Sequence, residues 1–415
     1  MVQKKDADQR DYTTVFYFNI GIGIVIYFIL FFSSNYIAHF YDEPRLIDLV
    51  KVVALNIVII STTLIHKTIL TIKIDFKTQA TINISAVIIG GIIGIYMAIK
   101  GYGVWALVYQ YLSKNVITAI LYWIMNSWKP GFLFDKKSFK SLFRFSSNLM
   151  ISDLLRLFFQ NLYSIVIGKA YNAEELGYFT RATLFKQVPC ALVITILKNV
   201  IFSAMVKVIN DKVKVKNLLV RSIRLTGFLL FPVIIMLLFY SKPLVVVLLT
   251  EKWLPIVVLL QILSLEIIFS SIRHINMNFL NANGRADLFL RVEIIKNTLT
   301  AIVILATFKF GLIPITVGYV AVSFFGFLIN THYSDRFIKY PALEQLKDLS
   351  PYALMSLLAG GISYYLCHFI ATPLLHLVLG ILLNFGLYLW GAHIVKFKEF
   401  IDIKELIVNR IQTNK

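Results

Sequence analysis

The sequence predicts an all-α polytopic membrane protein of about 12 transmembrane helices, built as two lobes related by a parallel internal repeat. Three observations carry that prediction. Of 415 residues, 58% are hydrophobic and 15% charged, with a mean hydropathy of +0.75, whereas a soluble domain is about half apolar and a quarter charged. The apolar residues arrive in blocks of about twenty, the length a helix needs to cross a bilayer. Lys and Arg, finally, are concentrated in alternate connections, as orientation in a membrane requires.

Taken in order, the spans are 14–40, 50–72, 80–99 and 103–125, then 146–168, 183–206, 225–241, 255–282, 289–308 and 312–332, and last 351–370 and 375–395. The longest must tilt or project from the lipid. KGYG at 100–103 and KFGL at 309–312 are so short that the helices they join are antiparallel neighbours. The first block is too long for a signal-peptide core and lacks a small-residue cleavage site. The connections 1–13, 73–79, 126–145, 207–224, 283–291, 333–350 and 396–415 carry 26 Lys and Arg, against 7 in the opposite set. The first set, with both termini, is therefore expected in the cytoplasm. The net charge of +19 follows from the same loop bias, so no nucleic-acid partner is expected. Cys190 and Cys367 lie in apolar runs with no disulfide framework or ligand spacing, so neither a metal nor a cofactor is expected.

Offset by 210 residues, the chain matches itself without gaps. Leu55 and Ser61 fall on Leu265 and Ser271, and Gly101 and Tyr109 on Gly311 and Tyr319. The hairpins at 100–103 and 309–312 coincide, as do the turns near 73–79 and 283–289. An even number of helices separates the copies, so they share orientation, a plan found in transporters with the substrate path between halves. The copies are unequal: 146–332 holds six helices and 14–125 four, with 146–168 and 183–206 lacking upstream counterparts. The expected division is an N-terminal lobe at 1–125, a basic cytoplasmic linker at 126–145 and a C-terminal lobe at 146–335. A second linker at 336–350, an extra helix pair at 351–395 and a basic tail at 396–415 follow.

Several stretches resemble a known family. IGKAYNAEELGYFTRATLFKQVP (167–189) is similar to the corresponding stretch of Wzx-type polysaccharide and O-antigen flippases. It looks most like the colanic-acid exporter branch of the multidrug/oligosaccharidyl-lipid/polysaccharide superfamily. GYGVWALVYQYL (101–112) and FLNANGRADLF (279–289) also resemble family stretches. QKKDADQRDYTTVFYFN (3–19) resembles a segment found after the second helix of that branch. The resemblance implies a flippase-like fold of two six-helix bundles facing a central cavity, with 351–395 as an added pair. It also implies that two helices precede those seen here, so Met1 is expected to be an internal or misassigned start. The alternative is a naturally shortened relative.

Ionisable groups at membrane depth default to functional candidates. In 146–168, Asp153, Arg156 and Gln160 share a helix face, with Asn161 beside them, either lining a cavity or pairing with each other. In 255–282, Glu266, Ser270 and Arg273 form a second stripe. Glu266, near the middle of its span, is the coupling-ion candidate if it stands alone, and a buried pair is the competing reading. Arg291, Glu293, Lys296 and Asn297 lie in the next helix, where Arg291 can instead snorkel to headgroups. Lys198 is a further candidate and does not share a stripe with Lys186. Pro189, Pro232 and Pro314 mark interruptions that would permit bending.

The resemblance implies transport rather than catalysis: export of polyprenyl-pyrophosphate-linked oligosaccharide across the bacterial inner membrane for O-antigen, capsule or exopolysaccharide synthesis. Arg and Lys suit its phosphates, and Asn, Gln, Ser and Tyr its sugar hydroxyls. The expected partners are that lipid-linked oligosaccharide, the phospholipid bilayer and polysaccharide polymerase machinery, around a monomeric transporter unit. A cation-coupled multidrug exporter of the same superfamily and a truncated, non-transporting membrane protein remain alternatives. A membrane polymerase or ligase fits less well, because the longest outside connections are about fourteen residues and no paired-acid or nucleophile motif accompanies them.

Overall fold

A computed structural model describes residues 8–131, 135–208 and 211–413, including their side chains except 136–149, 151–152, 192–204, 206–208, 286 and 406–413. The opening MVQKKDA lies outside the described residues. The described chain is helical, with no strand. In order run α1 (Gln9–Tyr41), α2 (Leu46–Ser61), α3 (Leu64–Ile72), α4 (Phe76–Ile99), α5 (Val104–Met125), α6 (Lys136–Ala170), α7 (Ala173–Val208) and α8 (Lys212–Leu249). A 3₁₀ turn at Glu251–Trp253 leads to α9 (Ile256–Ala282), α10 (Ala286–Thr307), α11 (Leu312–Ile338), α12 (Ala342–Cys367), α13 (Pro373–Ile394) and α14 (Lys398–Thr413). Together α2 and α3 make one span, and among the described residues seven spans are long and apolar enough to cross a membrane. The other expected spans are also helices, made less apolar by Lys, Arg, Asp or Glu in 146–168, 183–206 and 289–308 and mainly by uncharged polar and small residues in 103–125 and 351–370. The molecule is a multi-pass membrane protein.

The helices outrun the spans expected from apolarity. α8 covers 38 residues, about 57 Å at 1.5 Å per residue, against a hydrocarbon core of about 30 Å. Its extra length is the basic stretch 212–224. α1 begins at Gln9 rather than near residue 14, because Asp8 and Asp11 form a capping box on its first turn. The basic tail at 396–415 contains the helix α14. Pro314 falls in the first turn of α11, where a missing N–H has no helical partner to lose, so it interrupts nothing. Pro189 and Pro232 do lie inside helices, as do Pro243 and Pro351.

The repeat is visible in the helix boundaries. Shifted by 210 residues, Leu46–Ile72 becomes Ile256–Ala282, and Phe76, the start of α4, becomes Ala286, the start of α10. The turn residues match too: Ile74 and Gly284 both have positive φ, at 58° and 71°. Gly101 and Gly311 are likewise left of the barrier, at 82° and 104°. The helix after them starts two residues later in the first copy, where Gly103 rather than Gly101 is the cap.

The chain divides into two compact units, 1–160 and 161–415. In the first, α1 packs on α2 and α4 on α5. The run IIGGIIG lets α5 close on α4, since a Cβ at Gly90 or Gly94 would collide with Lys114 or Gln110. The start of α1 is tied to the segment after α5. Trp128 Nε1 donates to Gln9 Oε1 at 2.6 Å, and Gln9 Nε2 to the Lys129 carbonyl at 2.8 Å. In the second unit α9 is the central helix, packed by α7, α8 and α11, while α12 and α13 lie along α8. Its apolar core includes Leu219, Leu230, Leu260, Leu263, Ile272 and Phe327. Tyr171 links two hairpins, accepting from Gly311 N at 3.0 Å and donating to the Phe308 carbonyl.

Candidate functional site

The polar stripe of α9 faces a polar stripe of α11. Tyr319, Ser323 and Gly326 recur on α11 at i, i+4 and i+7, the spacing of Glu266, Ser270 and Arg273 on α9, so each trio occupies one face. Ser323 Oγ donates to Glu266 Oε1 at 2.9 Å. One turn further along α11, Gly326 lies against the next charged group: a Cβ there would sit 3.4 Å from Arg273 Cδ and 3.7 Å from Lys296 Cγ. The small residue makes room for two long cationic stems.

Glu266 is paired, and its partner is Lys186 of α7, which donates to Oε2 at 2.8 Å with both side chains buried. The Lys186 ammonium also lies 4.8 Å from the centre of the Tyr319 ring, close enough for a cation–π contact. Tyr163 of α6 meets Tyr319 edge-on at 4.9 Å, and its hydroxyl is buried without a hydrogen-bond partner. Of the two readings the sequence allows for Glu266, the arrangement is therefore the buried pair, made across helices rather than with Arg273. Separating such a pair would leave each group without its partner in a medium of low dielectric.

Arg273, Glu293 and Lys296 form a second cluster. Arg273 Nη1 lies 3.2 Å from Glu293 Oε1 and Lys296 Nζ 2.7 Å from Glu293 Oε2. These side chains are only partly covered, between 14% and 23% exposed, so the cluster is reachable where the first is sealed. Two cations on one carboxylate leave a surplus positive charge.

The remaining candidates are dispersed. Asp153 and Arg156 pair with each other at 2.9 Å on the surface of the first unit, each side chain more than half exposed. Gln160 and Asn161 are exposed on the same helix, and Arg291 is exposed on α10. Ser270 gives its hydroxyl to backbone carbonyls of its own helix, and Asn297 is half-buried. The side chain of Lys198 lies outside the described residues. Cys190 and Cys367 are buried thiols.

Three sets of residues emerge only from the fold. Lys186 and Tyr319 complete the Glu266 site. Asn276 bonds to Gln345 Oε1 at 3.1 Å and accepts from Ser334 Oγ at 2.9 Å, joining α9, α11 and α12 in a buried network. In the first unit, Asn115 Nδ2 donates to Asn56 Oδ1 at 2.7 Å across α5 and α2. Lys186, Tyr319, Asn276, Asn56 and Asn115 are polar residues in apolar spans, a signal the sequence carries, but their partners lie tens of residues away.

Comparison with known proteins agrees with this architecture. A family model described as "Polysaccharide biosynthesis protein" matches residues 1–258. The teichuronic acid biosynthesis protein TuaB of Bacillus subtilis (strain 168) is 27% identical over 380 residues, covering 89% of this chain and 78% of that protein. The lipopolysaccharide biosynthesis protein WzxC of Escherichia coli (strain K12) is 25% identical over 335 residues, covering 80% of this chain and 67% of its own. Among solved structures, the lipid II flippase MurJ in an inward closed conformation superposes with a TM-score of 0.74 at 16% identity, covering 95% of this chain and 87% of that one. The chain shares the fold of MurJ.

Proposed function

Because the chain belongs to the polysaccharide biosynthesis protein family, whose model spans residues 1–258, we propose that it flips polyprenyl-pyrophosphate-linked oligosaccharide units for surface polysaccharide synthesis. The reading places it in the bacterial inner membrane with both termini cytoplasmic, acting by alternating access as a monomeric unit that serves polysaccharide polymerase machinery. Its lobes are 1–125 and 146–335. The names of its relatives, which act in teichuronic acid and lipopolysaccharide biosynthesis, support the substrate class.

One observation carries the assignment to a site: the Arg273–Glu293–Lys296 cluster pairs two cations with one carboxylate and leaves them partly accessible. A diphosphate can displace Glu293 from Arg273 and take a bidentate guanidinium contact, while Lys296 supplies a point charge. Asn297 and Ser270, nearby in the helices, are suited to hydroxyl groups. A site with surplus positive charge repels cationic drugs, which disfavours the multidrug alternative. Coupling falls to Glu266, whose pairing with Lys186 would have to open before it could exchange a proton or cation.

The test is export in cells lacking their own flippase and expressing this chain. Wild type should prevent accumulation of lipid-linked repeat units inside, and Arg273→Ala and Lys296→Ala should each reduce export about 10- to 150-fold at equal membrane abundance, the loss of one charge-assisted contact of about 1.5–3 kcal/mol. Undiminished export by the Arg273→Ala/Lys296→Ala double variant would remove this cluster from the substrate path.

A further inference from the structure

α8 carries a proline in the middle of its membrane-spanning part, and the helix pair α12–α13 supplies what that proline removes. Pro232 has no N–H, so the carbonyl four residues earlier, on Phe228, loses its helical donor. An unsatisfied carbonyl in a membrane interior is costly. Tyr388 of α13 donates its hydroxyl to that same carbonyl at 2.9 Å. One turn earlier on α13, Asn384 Nδ2 donates to the carbonyl of Pro232 itself at 3.2 Å. Asn384 is fully buried and Tyr388 is 1% exposed; at i and i+4 they share a face of α13. Two glycines bring the helices close enough: a Cβ at Gly360 of α12 would collide with Ile235, and one at Gly380 of α13 with Tyr240, both on α8.

Two contrasts give this arrangement meaning. Near the second proline of α8, Pro243, which frees the carbonyl of Phe239, Gln261 Nε2 of α9, a helix of the central bundle, donates instead to the neighbouring Leu238 carbonyl at 2.8 Å. Among the described residues, the added pair donates to the carbonyls at Pro232, where an interior proline bends a helix. In the repeat, Pro232 corresponds to Ile22 of α1, so the first copy has no proline there to brace.

We propose that α12–α13 is a brace for the Pro232 bend of α8, with Tyr388 and Asn384 as the positioning residues that set its angle. Moving α13 along α8 exchanges these two hydrogen bonds for others and changes the direction of the α8 half beyond the bend. The pair therefore has a mechanical role in the conformational cycle. The transport reading above enters only through the second of the two readouts below.

The test uses the full chain with Cys190 and Cys367 replaced by alanine and spin labels at Val213→Cys and Leu248→Cys, which are exposed on either side of the bend. Tyr388→Phe and Asn384→Leu, which keep volume and remove the donors, should each shift or broaden the label-to-label distance by about 2 Å, the change for roughly 30° of kink in a helix rising 1.5 Å per residue. In the Pro232→Ala background, where the N–H returns and Phe228 regains its donor, Tyr388→Phe should have no further effect. Polysaccharide export, measured in parallel, should fall severalfold in the Pro232 background and be insensitive to Tyr388→Phe in the Pro232→Ala background. Unchanged distances in both donor variants, or a Tyr388→Phe effect equal in the two backgrounds, would overturn the brace. If Tyr388→Phe fails to accumulate, recovery of the protein by adding Pro232→Ala supports it and failure to recover overturns it. Failure of the substrate assignment alone would abolish the export readout in wild type and leave the distance readout intact.

Discussion

The pairing of Lys186 with Glu266 makes a sharp demand on single substitutions. Glu266→Gln leaves an ammonium buried without its counter-charge, and one-sided removal of a buried pair costs about 3–5 kcal/mol. Lys186→Met leaves a carboxylate in the same position. Each variant should lose thermal stability in detergent, whereas Lys186→Met/Glu266→Gln should recover most of the loss, because neither charge is then stranded. Additive losses in the double variant would mean that the 2.8 Å contact contributes nothing specific. The partly covered Arg273–Glu293–Lys296 cluster should behave differently. Glu293→Gln leaves two neighbouring cations that water still reaches, so its expected effect is smaller on stability than that of Glu266→Gln, as the same melting experiment can show.

At the scale of elements, the repeat makes a prediction from one copy to the other. Ile74 turns the chain into α4 at φ 58°, whereas its counterpart before α10 is Gly284 at φ 71°. A β-branched residue there is strained by about 1–2 kcal/mol, and glycine is not. Gly284→Val should therefore lower the melting temperature, while Ile74→Gly should hold or raise it, the relieved strain being partly offset by the freedom glycine has in the unfolded chain. Ile74 is 72% exposed, so lost packing does not confound the comparison. The tail helix α14 is held against α8 and α12. Tyr352 donates to Glu399 at 2.6 Å and Arg221 pairs with Asp402 at 2.8 Å. Phe400 and Ile403 add apolar contacts to the group around Phe228 and Tyr388, the region that also holds the Pro232 bend. Glu399→Ala strands a buried hydroxyl and should free α14, detected as faster proteolysis after Lys398 or Lys404.

For the whole molecule, the charge bias predicts a topology that labelling can check. Phe310→Cys, 74% exposed in the hairpin before α11, should react with a membrane-impermeant maleimide in intact cells lacking an outer membrane barrier. Ile74→Cys should react only after permeabilisation. The native thiols are buried and should stay silent. Equal labelling of both sites in intact cells would overturn the orientation.

The sequence by itself determined the class, the helices and the repeat. Twenty-residue apolar blocks have one viable conformation in lipid, since every backbone group must be satisfied within its own segment. The 210-residue register, read from weak identities such as Gly101 with Gly311, reappears in the boundaries of α2–α4 and α9–α10 because short turns fix where helices stop. The stripe Glu266–Ser270–Arg273 was legible for the same reason, since 3.6-residue periodicity is local. Tertiary structure alone decided what those residues touch. Glu266 meets Lys186 from 80 positions away, and Phe228 meets Tyr388 from 160. Periodicity assigns a residue to a face of its helix, but which helix covers that face depends on how the spans pack. Asp153 and Arg156, equally polar and equally periodic, lie on a surface instead. Inside a membrane the apolar pattern hardly distinguishes lipid from a neighbouring helix, so the choice of partner rests on shape and on the few polar groups that must find one another.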